Sequence, residues 1–417
     1  MSAREEILNW IEQEKDQITV FLQEFIKIKS PNPPGDTVLA AQKIAELLNK
    51  HDAPIRYVSP QPTMPNLIGS INGASKGRHL VLNGHIDVFP VSKKAKEEGW
   101  ITSPWSGEII DNKIYGRGST DMKCGTSASI WTYIILNYFK NSIKGKLTLT
   151  CVSDEETFGP WGARWLMDNE PDVLGDCCLN GEPSSPFTIR YAEKGLLWLT
   201  FKIQTDGSHG AYTHLSKSAT RVAANLIKRL ESLEDLELEI PKDLLDAQKS
   251  SASHFDRGMG AGAAEIAPKV TLNIGTINGG LKNNMVPADC IFEADIRLPI
   301  GSEVEQIERE IFNILEDFPE VSMEKNMLNP PSHCPPEGDM MKILQKNVNA
   351  LKGFKPAPVV SLGGTDARLW RYKNIPAYVY GPAPTGMGSI NENVPVEDYL
   401  HIVRTHVLSA FDYLNAN

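Results

Sequence analysis

A histidine and an aspartate, His85 and Asp87, stand one residue apart after a short apolar run of this 417-residue chain. The run predicts a buried strand, with the two side chains at its exit. Because side chains alternate across a strand, both point the same way, and the Asp87 carboxylate can reach the free ring nitrogen of His85. A metal-binding histidine and the carboxylate that orients it have this arrangement. A histidine satisfied by a neighbouring carboxylate without a metal has the same pattern.

More carboxylates stand at the ends of other predicted strands and loops. Asp121 ends a glycine-rich loop, the pair Glu155-Glu156 follows the apolar run LTLTCV, and Glu182 follows a further strand. Adjacent glutamates are usually a solvated pair, but such a pair does not normally end so apolar a strand. One histidine with several carboxylates is a mixed nitrogen and oxygen ligand set that suits Zn²⁺, Mn²⁺ or Co²⁺. Without a cation the carboxylates would repel one another, so the pattern favours a metal site.

The elements that must position these residues fall into two groups along the chain. Strands alternate with helices up to about residue 195, and acidic residues recur at the strand exits, which predicts an α/β sandwich with a mixed sheet. Residues 196–334 follow the strand-helix-strand-strand-helix pattern of a small α+β module, with a Gly/Ala/Ser-rich loop expected at 250–264. We therefore predict a metal-binding catalytic domain formed by residues 1–195 and 335–417, with the α+β module inserted between them.

Composition narrows the possible partners and the location. The formal charge is −10, from 52 acidic and 42 basic residues spread along the chain, which argues against binding to nucleic acid or an anionic membrane. The first 28 residues predict an amphipathic helix instead of a secretory signal, and no stretch reaches transmembrane length. The six cysteines show no CxxC spacing. Reduced thiols and a cytoplasmic protein are the expectation.

Seven motifs occur in a fixed order along nearly the whole chain. They are GHIDVFP, YGRGSTDMKCG, CVSDEET, NGEP, GGLKNNMVP, DIRLP and GGTDARLW. In this order they resemble the M20 family of metallopeptidases and deacylases. The resemblance implies a divalent metal cofactor and makes the inserted module a lid and dimerisation domain.

The resemblance also gives each acidic residue a role. It implies that His85 and Glu182 bind one metal, that Asp121 bridges two metals and that Glu156 binds the second. Glu155 becomes the general base, because a carboxylate beside a metal can take a proton from water and pass it to the leaving nitrogen. Two adjacent residues of an extended strand point to opposite sides, so Glu155 and Glu156 must lie at an irregular strand end. Asp87 supports His85.

The chain departs from the family pattern at the last ligand. A second metal-binding histidine usually stands three residues before an Asn/Asp-Glu pair, and here that position is Gly388, before Asn391-Glu392. The second metal is left with Asp121 and Glu156. We therefore expect one tightly bound metal and a second that is weak or absent.

Other side chains near the end of the chain are weak substitutes for the missing imidazole. His401 and His406 lie on a predicted amphipathic helix and are expected to be surface or core residues. Met387 is too soft a ligand, while Asn391 and His333 stay open as candidates. Cys124, where the family usually has glycine, either lies close to Asp121 or packs.

The resemblance places substrate contacts in the lid and in a late loop. His209 is favoured over His214 as the lid histidine that reaches the neighbouring subunit's site and stabilises an oxyanion, which implies a homodimer. Asn284 and Arg297 match residues that hold a substrate carboxylate, for which a planar guanidinium is suited. Gly364 and Thr365 are expected to shape the floor of the site.

These expectations combine into a function. They predict a metal-dependent hydrolase that cleaves the amide C–N bond of an N-acyl amino acid or a similar small, peptide-like carboxylate. One alternative is an aminohydrolase that removes an amino group from an amino-substituted carboxylate with a single metal. Another is a catalytically impaired homologue that only binds, against which the presence of Glu155 speaks.

Overall fold

The fold is described from a computed structural model, which covers residues 2–95 and 99–416. In the described residues the strands are β1 (Arg56–Val58), β2 (Asn66–Asn72), β3 (His79–His85), β4 (Ile109–Ile110), β5 (Lys113–Tyr115), β6 (Lys146–Val152), β7 (Cys177–Asn180), β8 (Thr188–Glu193), β9 (Gly195–Gln204), β10 (Ser208–His209), β11 (Thr271–Gly279), β12 (Met285–Val286), β13 (Asp289–Leu298), β14 (Val321–Asn329), β15 (Ser332–His333), β16 (Ala357–Ser361), β17 (Ala377–Val379) and β18 (Asn393–Pro395). The α-helices are α1 (Ala3–Lys27), α2 (Val38–Lys50), α3 (Lys123–Tyr138), α4 (Ala163–Asn169), α5 (Ala219–Leu230), α6 (Lys242–Met259), α7 (Ala263–Ile266), α8 (Val304–Leu315), α9 (Asp339–Lys352), α10 (Ala367–Tyr372) and α11 (Val396–Asn415).

A nine-stranded mixed sheet forms the larger part of the fold. Its strand order is β1-β2-β6-β3-β7-β17-β8-β15, with β16 beside β8. The central strands β6, β3, β7 and β17 are parallel, while β1, β2 and β15 pair antiparallel with their neighbours. The carboxyl ends of the parallel strands therefore meet at one edge, where ligand sites of such sheets lie. The predicted α/β class and mixed sheet are confirmed.

Helices cover both faces of this sheet. Leu80 and Leu82 of β3 pack with α1, α2, α3, α9 and α11 on one side, and Val81 packs with α4 and α10 on the other. This alternation is what a strand buried on both faces requires. The predicted sandwich is confirmed. Among the described helices, none is long and apolar enough to cross a membrane.

A second, four-stranded antiparallel sheet has the order β11-β13-β9-β14. Along β13 buried and more exposed residues alternate, and the buried ones join α5 and α8 in a separate apolar cluster. Such alternation is typical of a sheet with one covered face. The predicted strand-helix-strand-strand-helix pattern is present as β9-α5-β11-β13-α8. The sequence did not reveal β14, whose burial pattern does not alternate regularly.

The loop expected at 250–264 is wrong for all but residues 260–262, because residues up to Met259 belong to α6 and residues from Ala263 belong to α7. Leu244, Gln248, Ser251 and Phe255 are the buried positions of this helix, and their spacing of three or four residues outweighs the weak helix propensity of serine and glycine. Phe255 packs on Val359 of the large sheet. The division into residues 1–195 with 335–417 and residues 196–334 stays a prediction. Residues of α6 and α7 pack against Val359 of the large sheet.

Candidate metal centre

Three of the predicted ligands lie together at the carboxyl edge of the large sheet. His85 is the last residue of β3, Glu182 follows β7 and Asp121 precedes α3. The Nε2 atom of His85 is 3.2 Å from Asp121 Oδ1 and 3.2 Å from Glu182 Oε1. One ligand atom from each residue lies within 4.8 Å of the others. One cation can therefore bind all three side chains.

Both oxygen groups of Asp87 lie at the Nδ1 side of His85. Its Nδ1 atom is 2.9 Å from the backbone carbonyl oxygen of Asp87 and 3.5 Å from the Asp87 carboxylate. The carbonyl is thus the hydrogen-bond acceptor for Nδ1–H, because the chain turns directly after β3 and brings its own backbone under the ring. A donor bond from Nδ1 directs Nε2 at the two carboxylates, as a metal ligand requires.

The Asp87 carboxylate also holds the turn that bears the glutamate pair. It accepts hydrogen bonds from the backbone N–H of Glu155 at 3.3 Å and of Glu156 at 3.1 Å. Since β6 ends at Val152, both glutamates lie in the irregular segment that the sequence required. Asn32 donates to Asp87 at 2.9 Å and to Asp154 at 3.1 Å, which locks this turn to the chain before α2.

The charges of the site call for a cation. Glu155 Oε1 and Glu156 Oε1 are buried without a hydrogen-bond partner in the described part of the chain. Burial raises the pKa of both carboxyls well above the usual range, and the Asp121 charge adds to the shift of Glu156. Burial, with Asp121, also raises the pKa of Glu182 to about 7, against the opposing charges of His85 and Arg190. These crowded oxygens and one imidazole nitrogen fit a divalent ion.

Glu155 has a buried cation beside it that sequence reasoning missed. Arg368 Nη1 lies 3.6 Å from Glu155 Oε1, and its guanidinium stacks 4.7 Å from the ring centre of Phe158. The same nitrogen donates to the Thr365 carbonyl. The sequence signal for this arginine is the GGTDARLW motif, which contains Arg368 but from which the sequence interpretation assigned only Gly364 and Thr365 to the site.

The loop that contains Gly364 and Thr365 packs against Phe158 and Glu193, close to the glutamate pair. A side chain at Gly364 would stand 3.3 Å from the ring of Phe158, so glycine permits the close contact. Thr365 donates to Glu193 from its backbone N–H at 3.2 Å and from its hydroxyl at 2.8 Å. Glu193 in turn pairs with Arg371 at 3.1 Å. The Thr365 hydroxyl is thus bonded within the protein.

Position 388 lies at the surface and carries no ligand. Gly388 has a φ of +70°, and a side chain built there would stand 3.6 Å from the Phe89 ring. The loop instead supports the site through Glu392, which follows a few residues later. Glu392 accepts hydrogen bonds from the backbone of Thr120 at 2.8 Å and of Asp121 at 3.1 Å, and it pairs with Arg117 at 2.5 Å.

The other late histidines do not replace the missing imidazole. His401 and His406 are core residues that bond to the hydroxyl and the carbonyl of Tyr380, at 2.8 and 2.7 Å. Burial lowers their pKa values to about 3 and about 4. His333 is exposed on β15, and Cys124 packs in the apolar core.

The lid candidates lie apart from this centre. His209 ends β10 and Asn284 directly precedes β12. Both side chains are exposed, and the bond from Gly210 N–H to the Asn284 carbonyl at 2.7 Å joins the two segments. Arg297 pairs with Asp295 at 2.8 Å. Among the described residues, no hydrogen bond or ion pair connects these side chains to the carboxylate cluster. His214 lines a surface groove of about 810 Å³.

This fold and site define a metal-dependent hydrolase, and comparison with known proteins gives its family. The profile of peptidase family M20/M25/M40 matches residues 81–411, and the chain belongs to this family. Succinyl-diaminopimelate desuccinylase of Cereibacter sphaeroides is 28% identical over 346 residues, which are 80% of this chain and 83% of the relative. The chain is a metallo-hydrolase that acts on amide bonds.

Solved structures share the whole fold. The M20 family metallo-carboxypeptidase Sso-CP2 from Sulfolobus solfataricus superposes with a TM-score of 0.79 at 18% identity, covering 95% of this chain and 98% of that one. Human carnosine dipeptidase 1 gives a TM-score of 0.80 at 15% identity over 100% of both chains. At such identities the likeness concerns the fold alone.

Proposed function

We propose that the chain hydrolyses the amide bond of an N-acyl amino acid or a similar small carboxylate. The observation that carries this proposal is the His85–Asp121–Glu182 cluster with Glu155 beside it, a metal site next to a carboxylate that can act as a base. The relative named above supports the substrate class, since its name describes removal of a succinyl group from succinyl-diaminopimelate.

The side chains divide the work as follows. His85, Asp121 and Glu182 hold the metal ion, which when bound supplies Lewis acidity toward the carbonyl and lowers the pKa of water. Glu155 takes the proton of the attacking water and gives it to the leaving nitrogen, so that a neutral amine departs. Asp87 holds the backbone of the glutamate turn, and Arg368 directs the Glu155 carboxylate from 3.6 Å.

The metal content follows from the donor set. We infer one tightly held Zn²⁺, Mn²⁺ or Co²⁺ at His85, Asp121 and Glu182, and a second ion that is weak or absent. Glu156 offers a buried oxygen, Oε1, to a second ion, but Gly388 offers it no side chain. Metal analysis after exhaustive dialysis should give one equivalent per subunit; two equivalents would refute the inference.

A homodimer completes the site in this proposal. His209 and Asn284 are exposed on the lid, so they need a second surface to act on substrate. Mixing inactive Glu155→Gln and His209→Ala proteins tests this, because a mixed dimer regains one intact site if the lid of one subunit serves the other. Activity that stays absent after confirmed subunit exchange would contradict it. The six buried, free cysteines support a cytoplasmic location.

The experiment that tests the function is a hydrolysis panel. N-acyl amino acids, dipeptides and amino-substituted acids are incubated with enzyme loaded with Zn²⁺, Mn²⁺ or Co²⁺ in turn. We expect release of the free amino acid from the N-acyl compounds. Ammonia release without acyl cleavage would identify the aminohydrolase instead. Ligand binding without turnover under every metal would identify a binding homologue.

A further inference from the structure

Arg190 is a buried cation without an anionic partner at ion-pair distance among the described residues. It lies on β8, paired with Val379 of β17 and Val359 of β16, and is only 8% exposed. Its Nη2 atom contacts the sulfur of Met259 at 3.7 Å, and its Nε atom is buried with no partner. Within the described residues Nη1 makes no hydrogen bond, so most of the fork of N–H donors is unused.

The other buried arginines of the catalytic part are paired. Arg117 contacts Glu392 at 2.5 Å, Arg371 contacts Glu193 at 3.1 Å and Arg368 contacts Glu155 at 3.6 Å. A buried charge without a counter-charge is costly, and folded proteins pair such groups as a rule. Arg190 departs from this rule: the charges of Glu182, Glu193 and Asp121 act on it from beyond ion-pair distance, and a bound anion at its N–H donors would complete the pairing.

The position of Arg190 is next to the metal centre. Val379, its partner on β17, is followed by Tyr380, whose N–H donates to the Asn180 carbonyl at 3.0 Å. The next residue, Gly381, packs so tightly on the turn of Glu182 that a side chain there would lie 2.3 Å from the Glu182 carbonyl. Arg190 therefore stands beside the turn that bears a metal ligand. The Glu182 carboxylate itself is engaged with His85 at 3.2 Å and does not pair with Arg190.

We propose that Arg190 binds a carboxylate of the substrate on the Glu182 side of the metal centre. This inference rests on the proposed function and narrows it, because the substrate must carry a carboxylate within reach of the scissile amide. A guanidinium with free donors is suited to bidentate carboxylate binding. Arg297 already spends two donors on Asp295, at 2.8 and 3.2 Å, and is the less available of the two. The thioether of Met259 is a weak acceptor and carries no charge to neutralise the guanidinium.

Two matched substrate pairs test the proposal and locate the carboxylate. The first pair is the N-succinyl and N-butanoyl derivative of one amino acid, which differ by a carboxylate on the acyl group. The second pair is an N-acyl amino acid and its carboxamide. Wild-type enzyme should prefer the charged member of one pair about 10- to 100-fold in kcat/KM. Arg190→Met should remove that preference through KM and leave the neutral member within about twofold.

Controls separate this role from a structural one. Arg190→Met should keep its metal content and melt no lower than wild type, because the change breaks no ion pair among the described residues. Arg371→Met should melt lower, because it leaves Glu193 unpaired. Arg229→Met, which removes an exposed arginine of α5 that pairs with Asp317 at 3.0 Å, is the surface control and should keep the preference. Arg190→Lys, which keeps the positive charge but loses the paired N–H donors of the guanidinium, should retain part of the preference for the charged substrate.

Several outcomes would overturn the proposal. One is a wild-type enzyme that hydrolyses charged and neutral members equally; amide hydrolysis would then stand without the Arg190 subsite. Another is an Arg190→Met enzyme that loses activity equally on both members or loses its metal. If no substrate is hydrolysed, the proposed function fails. Calorimetry of succinate binding to the metal-loaded proteins then still tests the Arg190 subsite. Equal affinity of wild type and Arg190→Met for succinate would then refute the subsite.

Discussion

The metal centre and the lid hold their candidate residues in different ways. His85, Asp87 and Glu182 are 1%, 0% and 5% exposed, and each is fixed by atoms of other strands and turns. The side chains of His209 and Asn284 are exposed, on β10 and directly before its partner strand β12. Buried polar groups need hydrogen-bond partners within the folded chain, whereas exposed ones bond to water and stay available to a ligand or a second surface. The centre is therefore preformed, and the lid is expected to complete it.

The sharpest test of the preformed centre is Glu155→Gln. The amide keeps the size of the side chain but cannot take a proton, so kcat should fall about 10²- to 10⁴-fold. Metal content should stay unchanged. Steady-state kinetics and metal analysis check both, and the exposed lid variant Glu324→Gln should behave as wild type. Activity within about twofold of wild type would remove Glu155 from its proposed role.

The contribution of the lid is tested by His209→Ala. If His209 donates a hydrogen bond to the oxyanion, kcat should fall about 10²- to 10³-fold although the metal centre is untouched. His214→Ala is the matched control, because both rings are exposed on the same loop. A large loss of kcat in His214→Ala alone would assign the oxyanion hydrogen bond to His214 and not to His209. Two variants that are both fully active would show that the lid loop takes no part in catalysis.

Asp87→Asn tests whether the Asp87 carboxylate is needed to hold the turn that bears Glu155 and Glu156. The change keeps the shape but replaces a carboxylate that accepts from Asn32 and from the backbone of Glu155 and Glu156. Loss of such a supporting group typically costs about 10- to 100-fold in metal affinity or activity. We expect a fall of this size in kcat/KM, measured at saturating metal. An unchanged kcat/KM would mean that the turn holds its shape without Asp87.

The smallest effect concerns stability in acid. His401 and His406 are buried and neutral, with pKa values of about 3 and about 4, whereas an unfolded histidine has about 6.5. Between pH 6.5 and 4 the unfolded state binds more protons. The free energy of unfolding should therefore decrease as the pH is lowered through this range, by about 1.4 kcal/mol per pH unit for each histidine. Chemical denaturation at pH 7 and pH 5 measures this loss.

The control is His401→Gln, which keeps a hydrogen-bonding group beside Tyr380 but does not titrate. Its stability should depend less steeply on pH than that of wild type. Hydrogen exchange locates the effect, since both histidines lie on α11 and the lid histidines are exposed. Protection should decrease in α11 before it does in β13. The opposite order would contradict the assignment.

Local pattern was sufficient for much of the large sheet and for the kinds of side chain at its edge. Alternation and apolar runs predict β3 and β6, and the end of each run marks where His85 and Glu155 leave the sheet. The same approach missed α6 entirely, because serine and glycine hide a buried spacing that only packing on β16 reveals. The domain division and the roles of the site residues stay predictions.

The sequence by itself determined which chemical groups stand at the strand exits and which family motifs contain them. Only the tertiary structure decided how those groups are partnered. It placed the backbone carbonyl of Asp87 at His85 Nδ1 in addition to the Asp87 carboxylate, joined Asn32 to Asp154 across 122 residues and left Arg190 without an ion pair in the described part of the chain. Periodicity reports the exposure of a residue along its own element. Partnership between distant side chains depends on sheet order and on the paths of the connecting turns, which local pattern does not contain.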